Sequence, residues 1–265
     1  MTVYADVYRY RELLGNLFRR DLQAKYRGSA LGVLWTVANP VMLMGVYLLV
    51  FGVVWPARFS TIDHYALFLL SGLAVWTFFA AAVQSATRSM LDNANLIRKT
   101  RFPRQLVPLS VVFAHLVSFA AMLAILLVLN FIVLARVRAT EWLAIPLCLL
   151  FVGVVCGISL ALASLNVLFR DVEFIVAALL VPLFFLTPIL YALTGSPLDK
   201  HHTIVQFIHW ANPLAPAIEA VRAPLFAGTL PFWGDALYLA VACVVSLLLG
   251  AFVFTRVDDQ IAIEV

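Results

Sequence analysis

Aromatic side chains with regular spacing are the residues of this chain best suited to contact a ligand. Tyr47, Phe51 and Trp55 recur every four residues and therefore share one face of a helix. Aromatic faces stack weakly, and without sequence preference, on a polymer that slides past them. A later segment could add three more aromatic side chains to the same surface: Phe184, Phe185 and Tyr191. Aromatic residues also pack between helices and anchor at membrane interfaces, so packing is the alternative interpretation for all six.

Catalytic chemistry has little support in the sequence. The serines in apolar segments have no histidine and acid arranged beside them, and the five histidines are scattered. His115 lies within an apolar run, where a histidine could relay protons or pack against another helix. Glu219 and Arg222 are three residues apart, so they could neutralise each other on one helix face. The chain has no G-x-x-x-x-G-K-S/T phosphate loop, so ATP-driven work would require a partner.

The elements that must position these residues are apolar. Of the 265 residues, 64% are hydrophobic and 12% are charged, and the mean hydropathy is +1.00. A soluble domain is about half apolar and a quarter charged. The composition therefore argues against a soluble enzyme, a nucleic-acid binder and a disordered regulator. The three cysteines lie inside apolar runs, which indicates packing rather than disulfides or a metal site: Cys148, Cys156 and Cys243.

Six apolar runs are long enough, or nearly so, to cross a membrane as helices. They are Val33–Trp55, Tyr65–Val83, Leu106–Leu134, Trp142–Val167, Phe174–Leu193 and Ala236–Phe254. Pro182 and Pro188 predict a kink or a break in the fifth run. With alternate loops on opposite sides, 13 of the 18 Lys and Arg residues fall on the side of both termini. This bias predicts that both termini are cytoplasmic.

Two segments outside the six runs also predict structure. Tyr8–Arg27 has apolar residues on one side and cations on the others, which predicts an amphipathic helix at the cytoplasmic interface. Gly195–Gly234 is rich in apolar residues but is interrupted by Pro213, Pro216 and Pro224. These prolines limit each helical piece to a few turns, so we expect a re-entrant pair of short helices between the fifth and sixth spans.

Short motifs in a fixed order carry a resemblance to a known family. They are Tyr26–Trp35 (YRGSALGVLW) with Asn39-Pro40, Asn95–Lys99 (NLIRK) with Phe102-Pro103-Arg104, Asn166–Val172 (NVLFRDV), Thr187–Tyr191 (TPILY) and Asn212-Pro213. Each motif is weak alone. Together with six spans, they make the chain similar to type-2 ABC exporter permeases, and within that family it resembles the O-antigen and teichoic-acid export group.

The resemblance implies a six-span permease that works as a homodimer with two copies of a separate ATPase. That partner would bind ATP and Mg, whereas this chain would bind no cofactor and would not be an enzyme. The substrate would be a lipid-linked polysaccharide of O-antigen type, exported across the bacterial inner membrane during lipopolysaccharide biosynthesis. Membrane lipids would surround the dimer, and nucleic acid would not be a partner.

Other functions are the alternatives. The chain could export teichoic acid or another substrate, or act as an ATP-independent channel or carrier. The scarcity of acidic residues within the spans disfavours an ion-coupled carrier. A membrane-bound glycosyltransferase is a further alternative, but no acidic catalytic cluster supports it.

Under this resemblance the whole chain, residues 1–265, is a single permease domain. Residues 1–32 would form the interface helix and a portal loop, and residues 33–194 would form the first five spans. Residues 195–234 would form the outer re-entrant segment, and residues 235–265 would form the sixth span and a cytoplasmic tail.

For such an exporter, the chemistry of the residues and the resemblance together suggest roles for three groups of residues. The six aromatic residues would line a conduit for the glycan. The portal and the lipid pyrophosphate would be contacted by Arg27, Ser29, Leu31, Gly32, Arg19, Arg20 and Lys25. A gate or ATPase contact would comprise Asn95, Leu96, Ile97, Arg98, Lys99, Phe102, Pro103, Arg104, Arg170 and Asp171. Among these, the apolar side chains of Leu96, Ile97 and Phe102 are expected to dock into a partner. For the cations near the N-terminus, the alternative is that they only hold the chain on the cytoplasmic side.

Overall fold

A computed structural model describes residues 3–26, 34–50, 64–100, 102–134, 140–192 and 202–264. Within these ranges the regular elements are helices. They are α1 (Val3–Arg9), α2 (Arg11–Tyr26), α3 (Trp35–Leu48), α4 (Tyr65–Asp92), α5 (Ala94–Lys99), α6 (Leu106–Leu134), α7 (Ala144–Leu168), α8 (Val172–Leu186), α9 (His202–Ala211), α10 (Leu214–Arg222) and α11 (Trp233–Glu264). A 3₁₀ turn, Glu141–Leu143, precedes α7, and a π-helical turn, Ala223–Ala227, follows α10.

Four helices of the described residues are long and apolar enough to cross a membrane. They are α4, α6, α7 with its 3₁₀ turn, and α11. They correspond to the second, third, fourth and sixth predicted runs. The helices in the other two runs are shorter than a membrane span. α3, in the first run, has 14 residues, and the structure describes this run only as far as residue 50. α8, in the fifth run, has 15 residues.

The second and fifth runs have different ends from those predicted. α4 does not end at Val83 but continues to Asp92, so the helix also includes Arg88. α8 ends at Leu186, before the predicted Leu193, because Thr187 is extended and Pro188 follows it. The predicted break is thus confirmed at Pro188, whereas Pro182 lies inside the helix.

The bundle is organised around α4, which packs against α3, α6, α7, α8 and α10. α11 packs mainly on α7. At their crossing, a Cβ on Gly157 would overlap the backbone of Ser246, and a Cβ on Gly250 would overlap that of Gly157. Small residues therefore allow the two backbones into direct contact, as is common between membrane helices.

The predicted N-terminal amphipathic segment is interrupted at Tyr10, between α1 and α2. Leu17 of α2 is buried while Arg19, Arg20 and Lys25 are exposed, so the helix is amphipathic as expected. α2 packs against the first half of α6.

Two short helices, α9 and α10, lie between α8 and α11, where a short pair was predicted. Asn212 and Pro213 separate them, and the Asn212 Oδ1 accepts a hydrogen bond from the Leu214 N–H over 3.0 Å at the start of α10. α10 is buried against α4, α7 and α11. The bundle thus has one end that carries α5 and an opposite end that carries α10.

Candidate functional site

Aromatic side chains from three helices meet between α3, α4 and α8. The ring of Tyr47 on α3 stacks on that of Phe184 on α8, with centroids 6.0 Å apart. Trp76 on α4 meets Phe184 edge-on at 5.3 Å, and Phe185 meets it edge-on at 5.3 Å. We call Tyr47, Trp76, Phe184 and Phe185 the aromatic cluster. Its most exposed member is Phe185, whose residue surface is 63% accessible.

The aromatic cluster contains three of the six predicted conduit residues. Phe51 and Trp55 lie outside the described residues. The hydroxyl of Tyr191 donates to the carbonyls of Phe185 and Leu186 over 3.3 and 3.2 Å, so this side chain caps the end of α8. Trp76 was missed because it lies in the middle of another apolar run, and its pairing three residues on with Phe79, whose ring centroid is 6.1 Å away, is equally typical of packing between helices.

Polar side chains join α1 and α2 to the start of α6. Gln105 Nε2 donates to Asp6 Oδ2 over 3.1 Å, and the hydroxyl of Ser110 donates to Asp21 Oδ2 over 2.6 Å. Further along, the Lys25 ammonium donates to the Ser118 hydroxyl over 3.0 Å. The contacts advance toward the C-terminus in both segments, so α2 runs parallel to the first half of α6.

His115 of α6 connects α2 to a third helix, α4. Its Nδ1 lies 3.2 Å from the Lys25 Nζ, and its Nε2 lies 3.1 Å from the Ser85 Oγ on α4. We call Lys25, Ser85, His115 and Ser118 the three-helix junction. Partial burial lowers the pKa of Lys25. The sequence identified His115 as an isolated histidine, because nothing in its neighbourhood along the chain indicates Ser85 or Lys25 as partners.

The predicted portal residues are divided by the structure. Lys25 belongs to the three-helix junction, whereas Arg19 is exposed on another side of α2. Arg20 pairs with its neighbour Asp21, with 2.7 Å between Nη2 and Oδ1. The other four predicted portal residues lie outside the described ranges: Arg27, Ser29, Leu31 and Gly32.

In the predicted gate or ATPase contact, two apolar side chains face inward. Ile97 of α5 is only 7% exposed, and it packs with Met90, Val107 and Val257. Phe102 packs against the same cluster. These two side chains therefore hold α5 on its own chain, contrary to the expectation that they dock into a partner. The exposed residues of α5 and the following position are Asn95, Arg98, Lys99 and Thr100, while Leu96 is half-buried.

Other residues of that predicted contact have partners within the chain. Arg104 Nη1 donates to the Asp258 carbonyl over 2.7 Å and to its Oδ1 over 2.9 Å, which holds the end of α11. Arg170 and Asp171 are exposed in the turn between α7 and α8. Pro103 lies next to Arg104, before the start of α6.

A buried ion pair lies at the opposite end of the bundle. Arg222 of α10 is 3% exposed, and its Nη1 donates to Glu219 Oε1 over 2.9 Å. Its guanidinium carbon lies 3.8 Å from the ring centroid of Phe68, and its Nε lies 3.3 Å from the Ser71 hydroxyl oxygen. A Cβ on Gly72 would come within 2.6 Å of Nη2, so glycine makes room for the guanidinium. The expected Glu219–Arg222 pair is present and holds α10 against α4.

One polar pair was not anticipated from the sequence. His209 Nε2 of α9 lies 2.7 Å from Asp235 Oδ1 at the start of α11, and both side chains are largely buried. The two residues are 26 positions apart, so no local pattern connects them.

Four helices of membrane length, packed around α4 with broad apolar surfaces exposed, define a polytopic helical membrane protein. The chain belongs to the ABC-2 type transporter family, which it matches over residues 12–226. The resemblance found in the ordered motifs is confirmed by this match.

Curated relatives align with nearly the whole chain. An O-antigen export system permease protein, RfbA, from Myxococcus xanthus is 33% identical over 260 residues, which cover 97% of this chain and 96% of that protein. A protein of the same name from Klebsiella pneumoniae is 32% identical, covering 95% and 94%. The polysialic acid transport protein KpsM of Escherichia coli is 23% identical, covering 92% of each chain.

Proposed function

We propose that this chain is the permease subunit of an ATP-driven exporter that moves a lipid-linked polysaccharide of O-antigen type across the bacterial inner membrane. The observation that carries the proposal is the alignment of 97% of the chain with an O-antigen export permease at 33% identity. Relatives named for capsule or polysialic acid transport are 22–23% identical. This difference favours an O-antigen-like substrate, with capsular polysaccharide as the second candidate.

The aromatic cluster supports a polymer as the substrate. A sliding glycan needs contacts that are weak and repeated, because a tight hydrogen-bonding pocket would hold it in place. Stacked aromatic faces provide such contacts. Tyr47 and Phe184 are half-buried and Phe185 is exposed, so the cluster presents ring surface beyond its own packing. In the proposed exporter this surface lines the conduit, together with Phe51 and Trp55.

The energy source in this proposal is a separate ATPase that binds ATP and Mg. The sequence contains no phosphate loop of its own. The exposed cations of α5, Arg98 and Lys99, and the exposed turn at Arg170–Asp171 are the surfaces that we assign to ATPase contact or gating. These two surfaces lie on neighbouring helices: Arg88, near the end of α4, has its Nε 4.0 Å from Oε2 of Glu173, at the start of α8.

The proposed assembly is a homodimer with two ATPase copies. α3 and α8 expose apolar side chains along much of their length, including Met42, Val46 and Leu179. A second copy and membrane lipids would cover them. In the same proposal α3 and α8 belong to the first and fifth of six spans, both termini are cytoplasmic, and α9 and α10 form the outer re-entrant pair.

Deletion of the gene in its own bacterium tests this function. We expect surface polysaccharide to disappear and lipid-linked polysaccharide to accumulate inside the cell, and a plasmid copy should restore export. Purification of the tagged chain should recover an ATPase subunit with a phosphate loop. Normal surface polysaccharide in the deletion strain contradicts the proposal, and transport by the purified chain without an ATPase supports the channel or carrier alternative.

A further inference from the structure

An apolar groove of about 330 Å³, which we call the α6–α7 groove, lies between α6 and α7. Its walls come from residues 116–127 of α6, from residues 141–152 of α7 with its 3₁₀ turn, and from Leu225 after α10. Ala120, Ile145 and Leu149 are exposed along it, so the groove is open on one side. Both helices are of membrane length, and the groove therefore faces the hydrocarbon of a bilayer.

The size of the α6–α7 groove fits one alkyl chain. Its wall on α6 runs from Leu116 to Leu127, which is about 17 Å at 1.5 Å per residue. The hydrocarbon core of a bilayer is about 30 Å thick, so the groove covers about the depth of one leaflet. A partner helix about 10 Å across and equally long would occupy on the order of 1,200 Å³, several times the volume of the groove. The acyl chain of a lipid is therefore the occupant that matches both the length and the volume.

One end of the α6–α7 groove carries a carboxylate and an indole ring. Glu141 and Trp142 belong to the 3₁₀ turn that precedes α7, so they lie where a membrane-length helix begins. Glu141 is half-buried, and no cation of the described residues pairs with it, while Trp142 is exposed. Asn130 adds an acceptor, because its Nδ2 donates to the Leu225 carbonyl and its Oδ1 has no donor within the described ranges. These groups favour a cation at this end of the groove.

We propose that the α6–α7 groove binds a phospholipid whose headgroup carries a primary ammonium, of the phosphatidylethanolamine type. One acyl chain lies in the groove, and the ammonium lies beside Glu141. The ammonium has three N–H donors for the carboxylate, and the Trp142 ring offers it a cation–π contact. An anionic headgroup without an ammonium would meet the Glu141 carboxylate with no attraction to offset the repulsion. The site is independent of which substrate the chain transports.

Photocrosslinking locates the lipid. The probe is phosphatidylethanolamine with a diazirine group in the middle of one acyl chain, added to the purified full-length chain in dodecyl maltoside together with any subunits that co-purify. After irradiation, mass spectrometry of the peptides identifies where the probe is attached. We expect attachment to be concentrated in residues 116–127 and 141–152. Attachment spread evenly over the exposed apolar helix faces overturns the assignment to the groove.

Variants separate the two parts of the site. Glu141→Gln keeps the size of the side chain and removes its charge, so it should weaken binding of the probe by about fivefold. Glu141→Asp keeps the charge and should bind more tightly than Glu141→Gln. Glu12→Gln removes an exposed carboxylate from α2 and should leave binding unchanged. Ala120→Phe places a ring in the open groove and should weaken binding by roughly tenfold. Thermal unfolding verifies that each variant is folded, and the Glu141 variants carry the test if Ala120→Phe is not.

Unlabelled competitors identify the headgroup. Displacement of the probe by phosphatidylethanolamine at several-fold lower concentration than by phosphatidylglycerol or phosphatidylcholine supports a primary ammonium. Equal displacement by phosphatidylcholine, whose ammonium has no N–H, overturns the hydrogen bond to Glu141. Preference for phosphatidylglycerol overturns the assignment to an ammonium, and Arg136 and Arg138, which precede Glu141 in the sequence, would then supply cations for an anionic headgroup. Unchanged crosslinking in the folded Glu141→Gln and Ala120→Phe variants overturns the site itself, whether or not the chain is needed for export.

Discussion

The ring of Tyr47 lies 6.0 Å from that of Phe184, and the two planes are 21° apart. This stacked pair joins α3 to α8 across a distance of more than a hundred residues in the chain. Trp76 closes on the same ring from α4, so Phe184 is the centre of the aromatic cluster. Substitutions in this pair can therefore test whether the aromatic cluster binds a ligand or only packs the helices together.

Replacing Tyr47 with Ala should slow polysaccharide export by roughly tenfold, because one stacking face is worth about 1–3 kcal/mol to a bound polymer unit. Tyr47→Phe retains the ring and should export nearly normally. The rate at which new polysaccharide reaches the cell surface is measured at matched amounts of folded protein. Equal export by Tyr47→Ala and the unchanged chain assigns this side chain to packing.

Replacing Gly157 with Ala should destabilise the bundle by about 1–3 kcal/mol, because the added methyl group overlaps the backbone of Ser246. Gly15→Ala on α2 is the matched control, since no atom lies within 4 Å of a Cβ there. Helix propensity predicts that this control is neutral or slightly stabilising. Thermal unfolding in detergent compares the two. An unchanged unfolding temperature for Gly157→Ala argues against direct backbone contact between α7 and α11.

Replacing Glu219 with Leu should destabilise the protein by about 3–5 kcal/mol, because it leaves the buried Arg222 without its partner carboxylate. The partial exposure of Glu219, with 30% of its side chain accessible, places the expected value near the lower end. In the double variant Glu219→Leu/Arg222→Met the charge is absent, and much of the stability should return. Chemical unfolding measures the cycle. If the double variant is as unstable as Glu219→Leu, the loss does not come from an unpaired charge.

Charge reversal at Arg98 and Lys99 should reduce export while leaving the amount of folded protein unchanged, because both side chains are exposed on α5. Ile97→Ala is the contrasting variant. It empties a buried position between α5 and the rest of the chain, so it should cost about 2–5 kcal/mol of folding free energy.

Export and ATPase activity of the reconstituted complex measure the first variant, and thermal unfolding measures the second. Full export with both charges reversed removes α5 from the proposed ATPase contact or gate. Loss of folded protein in the charge-reversal variant assigns Arg98 and Lys99 to stability instead.

The positions of the long helices could be predicted from the sequence, because hydrophobicity alone determines them. α4, α6, α7 and α11 coincide with apolar runs, because a membrane-length helix needs little beyond about 20 apolar residues. The break at Pro188 was also predicted, and it ends α8 before Leu193 because the residue preceding a proline avoids the helical region. The end of α4 was not, because hydropathy falls after Val83 although the polar residues there are compatible with a helix.

The candidate site was less predictable because its contacts join distant parts of the chain. Lys25, Ser85 and His115 come from three helices, and serines within apolar runs carry no local signal. Ile97 illustrates a second limit. α5 has six residues, which is too short for its periodicity to reveal which face is buried. The sequence therefore indicated an outward apolar side chain where the structure has an inward one.

α11 is held at both ends by polar contacts. Near its start, Asp235 binds His209 of α9, and near its other end Asp258 binds Arg104, which lies between α5 and α6. The helix has 32 residues, about 48 Å at 1.5 Å per residue. Asp235 and Asp258 are 23 residues apart on this one helix, about 35 Å at 1.5 Å per residue, so a single continuous element connects the segment before α6 to α9 at the opposite end of the bundle.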